Sequence, residues 1–169
     1  LAEDAAWLNL NFPKDVFGVP DFFTCGHQTR HLVFRPEWQE HANTARRIRA
    51  LVAVHPDPNS LQATYKQAFG AISIGAANED GWLLRRDSLR LQFLTPAAFA
   101  KRYPGVAIPD TVNNIWLAGS VVEVRDLAAT RTLLTRNEVP FTTGPQGELV
   151  IDPAYTAGTL QAFVQEEQA

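Results

Sequence analysis

The chain is poor in cysteine: Cys25 stands alone, so no disulfide can close within it, and a reducing, cytoplasmic setting is expected. No apolar run is long enough to cross a bilayer. There is no basic stretch followed by an apolar one of the secretion-signal kind. Positive charge is also short: 15 Lys and Arg stand against 18 Asp and Glu, a net charge of −3. That excludes the basic field which binding to nucleic acid or an anionic membrane requires. A Gly-rich phosphate loop, a Ser-His-Asp elbow and a basic–aromatic stripe are all missing. The rest is ordinary for a globular protein: 169 residues, 46% hydrophobic and 20% charged, sized for one domain with a sizeable core.

The stretch that organises the rest is Leu51–Gly70, LVAVHPDPNSLQATYKQAFG. Its first four residues are a short apolar, β-branched run of the kind found in buried strands. Two prolines in His55-Pro56-Asp57-Pro58 break it, because each fixes φ and removes a backbone donor. Asn59 or Ser60 can cap a helix starting there. Leu61, Thr64, Tyr65, Ala68 and Phe69 then recur at helical spacing, and Gly70 ends the helix. The pattern returns in Ser120–Val124, Arg125-Asp126 and Leu127–Asn137. The two copies lie about 70 residues apart, too far for a solenoid and suited to a duplicated supersecondary module.

Between and after these copies, Ala71–Gly75 reads as a short strand, and Trp82–Arg86 with Leu89–Thr95 as a hairpin. Pro96–Tyr103 reads as a helix with proline at its start. Asn113–Gly119 leads into the second copy. Pro140–Thr143 and Leu149–Asp152 form a second hairpin, and Thr159–Gln165 is the last strand. Each module thus reads β-α-β-β-β. Ahead of them, Leu1–Asn11 opens with an acidic, alanine-bearing turn, and the spacing of Trp7, Leu8, Leu10 and Phe12 after it suits a short helix or an edge strand. Pro13–Pro20 reads as a loop, Asp21–Phe34 as a strand bent at Gly26, and Arg35–Arg46 as an irregular connector with one helical turn.

The segments LVAVHPDPNSLQATYKQAFG, RLQFLTPAAFAKRYPG and LAGSVVEVRDLAATRTLLTRNEVPF resemble the vicinal oxygen chelate superfamily. Glyoxalase I, extradiol dioxygenases and bleomycin-resistance proteins belong to it, and the bacterial glyoxalase-like domain proteins are the nearer match. FFTCGHQTRHLVFRPEWQEHANTA is similar to a stretch that joins the halves of longer members. The resemblance implies an α+β fold: paired βαβββ modules forming a cupped mixed sheet, with helices on the outer face. It implies a glyoxalase-like domain over residues 46–169, with modules at about 46–104 and 113–169. Residues 1–45 then look like the end of a preceding module, or else a private N-terminal extension. Phe22–Phe34 is expected to add to a sheet edge of this chain or of a second copy, and the partners implied are a missing N-terminal domain or a homodimer.

Enzymes of the superfamily hold a divalent metal at the start of the first strand and on the last strand of each module. In this chain those positions are Ala50 and Gly119, which cannot ligate, and the neighbourhoods of Gln92 and Gln161, where an amide oxygen is a weak ligand. No cofactor is therefore expected. The expected function is binding of a small molecule in the sheet cup; the alternative is a metal-dependent lyase, isomerase or dioxygenase of the glyoxalase type. Strand alternation puts Arg90, Gln92 and Leu94 on one face, and Thr159, Gln161 and Phe163 on the equivalent face. Gln92, Gln161 and Arg90 are thus candidate ligand-binding residues, with His55 at the end of the first strand as either a ligand-facing or a plain turn residue. Glu123 is expected on the cup side, as a candidate general base or as an ion-pair partner of Arg90 or Arg125. Separately, Cys25, His27 and His31 share one face if Asp21–Phe34 is a strand, and with Glu37 and His41 they form the densest group of potential metal ligands.

Overall fold

The computed structural model describes residues 3–13, 16–18, 22–110 and 115–167. The loop expected across Pro13–Pro20 is described only in part, and Asp21 and the module start at Asn113 lie outside the described residues.

The two apolar runs form the central strands, β3 (Ala45–Val54) and β6 (Trp116–Val124), which pair antiparallel. Each lies parallel to the last strand of its own module: β3 to β5 (Leu89–Leu94) and β6 to β9 (Leu160–Gln165). Hairpin partners complete the sheet. β4 (Gly81–Arg86) adds to β5, and β8 (Leu149–Ile151) with β7 (Phe141–Thr143) adds to β9. The result is one seven-stranded mixed sheet in the order β4-β5-β3-β6-β9-β8-β7. This is the expected α+β architecture of paired modules.

Alternation along β3 and β6 sends successive side chains to opposite faces. On the outer face, Ala53 packs with Tyr65, Trp82 and Phe93, joined by Phe69. Tyr65 and Phe69 belong to α2 (Gln62–Phe69). Val124 and Phe163 pack there with Leu134 of α4 (Leu127–Arg136), which starts at the Asp126 cap (Ala129 N to Oδ1, 2.9 Å). The inner face differs from the expectation that helices cover only the outside. α3 (Pro96–Arg102), capped by Thr95, lays Phe99 there and is followed by Tyr103 and Val106, on Val52, Val54, Val121 and Leu160. Gly119 is needed for packing: at φ +151° its missing Cβ would stand 1.9 Å from the Leu160 carbonyl oxygen of the neighbouring strand.

Two segments depart from the sequence reading. Ala71–Ser73 is a 3-10 turn, and only Ile74 bridges to Leu84. Ser73 Oγ donates to the Phe69 carbonyl (3.1 Å), which keeps the chain coiled past Gly70. Residues 22–34 are not one bent strand. β2 (Phe23–His27) runs in unbroken register with β1 (Trp7–Asn11), passing Gly26 opposite Leu8. The polar pair Gln28-Thr29 ends it: Ala6 donates its N–H to Thr29 Oγ1 (2.8 Å), and a one-turn helix α1 (Arg30–Val33) comes next. This hairpin is a separate two-stranded sheet, so the strands of the N-terminal segment pair with each other and not with the large sheet.

Leu134 is 9% exposed, whereas its neighbour Leu133 is only half-buried. Leu134→Ala is expected to lower the unfolding free energy by about 2–5 kcal/mol and Leu133→Ala by less, read from urea denaturation. Tyr65 is 1% exposed, its hydroxyl donates to the Phe17 carbonyl (3.0 Å), and burial pushes its phenol above the ordinary value of 10. A raised folded-state value means that its stabilising contribution is whole below about pH 10 and is lost as pH rises through the folded value. Stability should therefore fall on the alkaline side, and Tyr65→Phe should flatten part of that fall in unfolding curves collected from about pH 8 to pH 11.

Candidate functional site

α3 closes much of the inner face and buries Val52 and Val54 there, so the sheet is not an open cup along these residues. Two spaces remain beside the helix. A cavity of about 290 Å³ has Ala50, Val121 and Val164 as apolar lining and Arg49, Arg90 and Gln92 among its polar walls. A shallower cleft of about 450 Å³ runs between α3 and the β4–β5 hairpin, rimmed by exposed Asn78, Asp80 and Lys101. They share Gln92, Arg102 and Gln146. The smaller cavity is the stronger candidate, because half-buried charges converge there.

Glu123 is on the inner side of β6, as expected, and is fully buried. Its partners are neither Arg90 nor Arg125. β3 shifts register against β6 on both sides of Ile48, which aims two arginines of one strand at a single carboxylate. Arg49 Nη1 donates to Oε2 (2.7 Å). Arg47 Nη2 stands 2.7 Å from Oε1, an ion pair off the hydrogen-bond direction, so Oε1 has no hydrogen bond. With an arginine at each oxygen, Glu123 serves as an ion-pair partner; it is fully buried and does not line the cavity, so it is not placed to take a proton from a guest there. Arg49 is held above the ordinary guanidinium range: burial acts to lower it, and the hydrogen bonds and charges of Glu123 and Glu167 outweigh that. Arg125 instead pairs with Glu40 on the surface.

A second buried carboxylate, Glu148, was not legible from the sequence. It is 1% exposed, accepts from Arg102 and takes the Gln146 N–H at 2.9 Å. The turn between β7 and β8 folds over it so closely that a Cβ on Gly144 would stand 2.3 Å from its Oε1. Arg102 Nη2 also donates to Gln146 Oε1 (2.7 Å), so both ends of this guanidinium are engaged. Tyr103, 1% exposed, points its hydroxyl at Gln92 Oε1 (3.5 Å). Burial raises its phenol above the ordinary value, Arg102 opposes this and Glu148 adds to it. It remains a neutral donor at physiological pH.

The remaining sequence candidates separate. Arg90 and Gln92 lie opposite Ala50 and Val52 in the β3–β5 register and both line the cavity. Gln161 does not join them. Ala162 is opposite Val121, and Leu160 and Ala162 pack on the inner face, while Phe163 packs with Leu134 outside. Gln161 therefore faces outward, where Ser120 Oγ donates to its Oε1 (3.1 Å). The alternation expected for β9 is one residue out of step, which reverses every side chain. His55 lines neither space, and its Nδ1 accepts the Asp57 N–H (3.0 Å), as in a plain turn. Cys25 Sγ and His27 Nε2 are 3.8 Å apart on exposed β2, but His31 lies on α1 and pairs with Glu3 (2.9 Å). Among the described residues no three His, Cys, Asp or Glu converge on a metal position.

No family model matches the chain, and no curated protein matches it in sequence. Solved structures match in shape. Methylmalonyl-CoA epimerase from Mycobacterium tuberculosis has a TM-score of 0.54 at 15% identity, over 76% of this chain and 93% of that one. Methylmalonyl-CoA epimerase in complex with methylmalonyl-CoA and NH4+ has a TM-score of 0.51 at 16% identity, over 71% and 94%. A Streptomyces coelicolor methylmalonyl-CoA epimerase variant in complex with 2-nitronate-propionyl-CoA has a TM-score of 0.50 at 16% identity, over 72% and 98%. These proteins have the vicinal oxygen chelate fold, and the chain shares it. At such identities the likeness extends to the fold alone. No helix among the described residues is long and apolar enough to cross a membrane.

Removing the buried carboxylate should be costly. Glu123→Ala leaves Arg49, whose side chain is 13% exposed, without its inner partner. The expected loss is about 3–5 kcal/mol, against about 0–1 kcal/mol for an exposed pair. Urea denaturation of the variant beside the wild type checks it.

Proposed function

We infer that the chain is a glyoxalase-like domain which binds a small molecule in the open part of its inner face, and that it does so without the divalent metal of the family's enzymes. The observation that supports this is the donor set of the cavity. Ala50 and Gly119 offer no ligand atom, and the buried carboxylates are each held by arginine: Glu123 by Arg47 and Arg49, Glu148 by Arg102. Gln161 faces away, and the neutral side-chain oxygens that line the cavity are the amides of Gln92, Gln146 and Gln165 and the phenol of Tyr103. A transition metal needs several converging anionic or imidazole donors, so these residues do not fit one. A partly enclosed space with an apolar floor and a few polar groups fits an organic guest.

Within Leu1–Ala45, Phe17 is packed into the core beside Tyr65, and the β1–β2 hairpin is the part that stands apart from the large sheet. Trp7, Leu8, Leu10 and Phe23 of this hairpin are exposed, which suits burial against a preceding domain or a second copy. A cytoplasmic location goes with the same proposal and rests on the single, exposed, free Cys25.

Two measurements test the reading. Elemental analysis and calorimetric titration with zinc, manganese, nickel and ferrous ions should find no stoichiometric, tightly held metal. A tight site lost on Gln92→Ala would overturn the metal-free proposal. In amide NMR spectra, a library of small organic fragments should shift resonances at Ala50, Arg90, Gln92 and Val121. Gln92→Ala should leave the fold intact and weaken those shifts, and fragment shifts confined to β1 and β2 would refute the choice of site.

A further inference from the structure

The cavity already holds a carboxylate at its mouth. Glu167, on the segment after β9 and 72% exposed, reaches back to pair with Arg49 Nη2, while Nη1 of the same guanidinium is bound to buried Glu123. The two ends of Arg49 differ in strength. The Glu123 end is buried and costly to break. The Glu167 end has an exposed carboxylate, is screened by water and is weak. Its outer donor is therefore exchangeable for another anion.

Arg90 lines the same cavity, is half-buried, and has no ionic partner among the described residues. Three arginines line the space against two carboxylates, Glu148 and Glu167. Arg102 is closed off by Glu148 and Gln146, so Arg49 and Arg90 are the cations that a guest can reach. A guanidinium offers a planar fork of donors that suits carboxylate or phosphate oxygens. Ala50, Val121 and Val164 supply an apolar bed beside it.

The geometry points to a pocket for a small organic anion, in which a carboxylate or phosphate head takes the place of Glu167 on Arg49, is met by Arg90, and lays its apolar body on Ala50, Val121 and Val164. This rests on the small-molecule reading above and gives that molecule its chemical class. Glu167 is then a built-in competitor, a tethered carboxylate that fills the position until a guest displaces it.

Calorimetric titration of benzoate, phenyl phosphate and neutral benzamide into the full chain tests it. The wild type should bind one or both anions about tenfold or more tighter than benzamide. Arg90→Gln should abolish that preference and Arg90→Lys should keep part of it, which separates loss of charge from loss of fold. Glu167→Gln should tighten anion binding several-fold and leave benzamide unchanged. Anions and benzamide binding alike, with amide shifts at Ala50, Gln92 and Val121, would overturn the anion class while the pocket stands. Glu167→Gln without effect on anion affinity would overturn the displacement. No binding of any of the three by the wild type or Glu167→Gln, or shifts elsewhere, would overturn both this inference and the choice of cavity.

Discussion

The pairing of β3 with β6 is the constraint on which the inner face depends. These strands sit at the centre of the sheet, and each carries the parallel last strand of its own module. Once they are in register, strand parity assigns every neighbouring side chain to a layer. Val52 and Val54 go to the α3 side and Ala53 to the α2 side. The register shifts around Ile48 are where that regular alternation is interrupted. Without them Arg47 and Arg49 would not both meet Glu123, and a fully buried carboxylate without compensation is not tolerated.

Much of the architecture is legible in the sequence because it is written in local pattern. The apolar runs, the His-Pro-Asp-Pro and Arg-Asp breaks, the helical spacing after them and the two hairpins all appear where the residues indicate. The duplicated order of elements points to the paired modules. The departures are of two physical kinds. One is parity: β9 has no strong polar–apolar alternation around Gln161, and nothing local distinguishes its two faces. The other is tertiary: a seven-residue helix after Thr95 is clear from the sequence, but the face of the sheet that it covers is not. The same limit hides Glu148, whose burial depends on Arg102 arriving from another module. Cys25, His27 and His31 form a cluster only if Asp21–Phe34 is one strand; the turn at Gln28-Thr29 divides them.

The charged groups of the cavity have a consistent logic. Each buried carboxylate is matched by arginine from a different segment, so Glu123 ties β6 to β3, and Glu148 ties the second hairpin to α3. In a fold whose enzymes place ligands for a metal on these strands, this chain has small residues on the first strands and ion pairs beneath the cavity. Both buried carboxylates join segments of the chain that are distant in sequence.

α3 follows the last strand of the first module, yet it supplies a wall of the space beside the sheet. Strand register is carried by one part of the chain and the shape of the cavity in large part by another. Phe99 and Tyr103 tie this stretch to the core, whereas exposed positions such as Lys101 can change what the neighbouring cleft admits while β3, β6 and their bulges stay as they are. Foldability and selectivity are therefore separable only at positions of α3 that do not face the sheet.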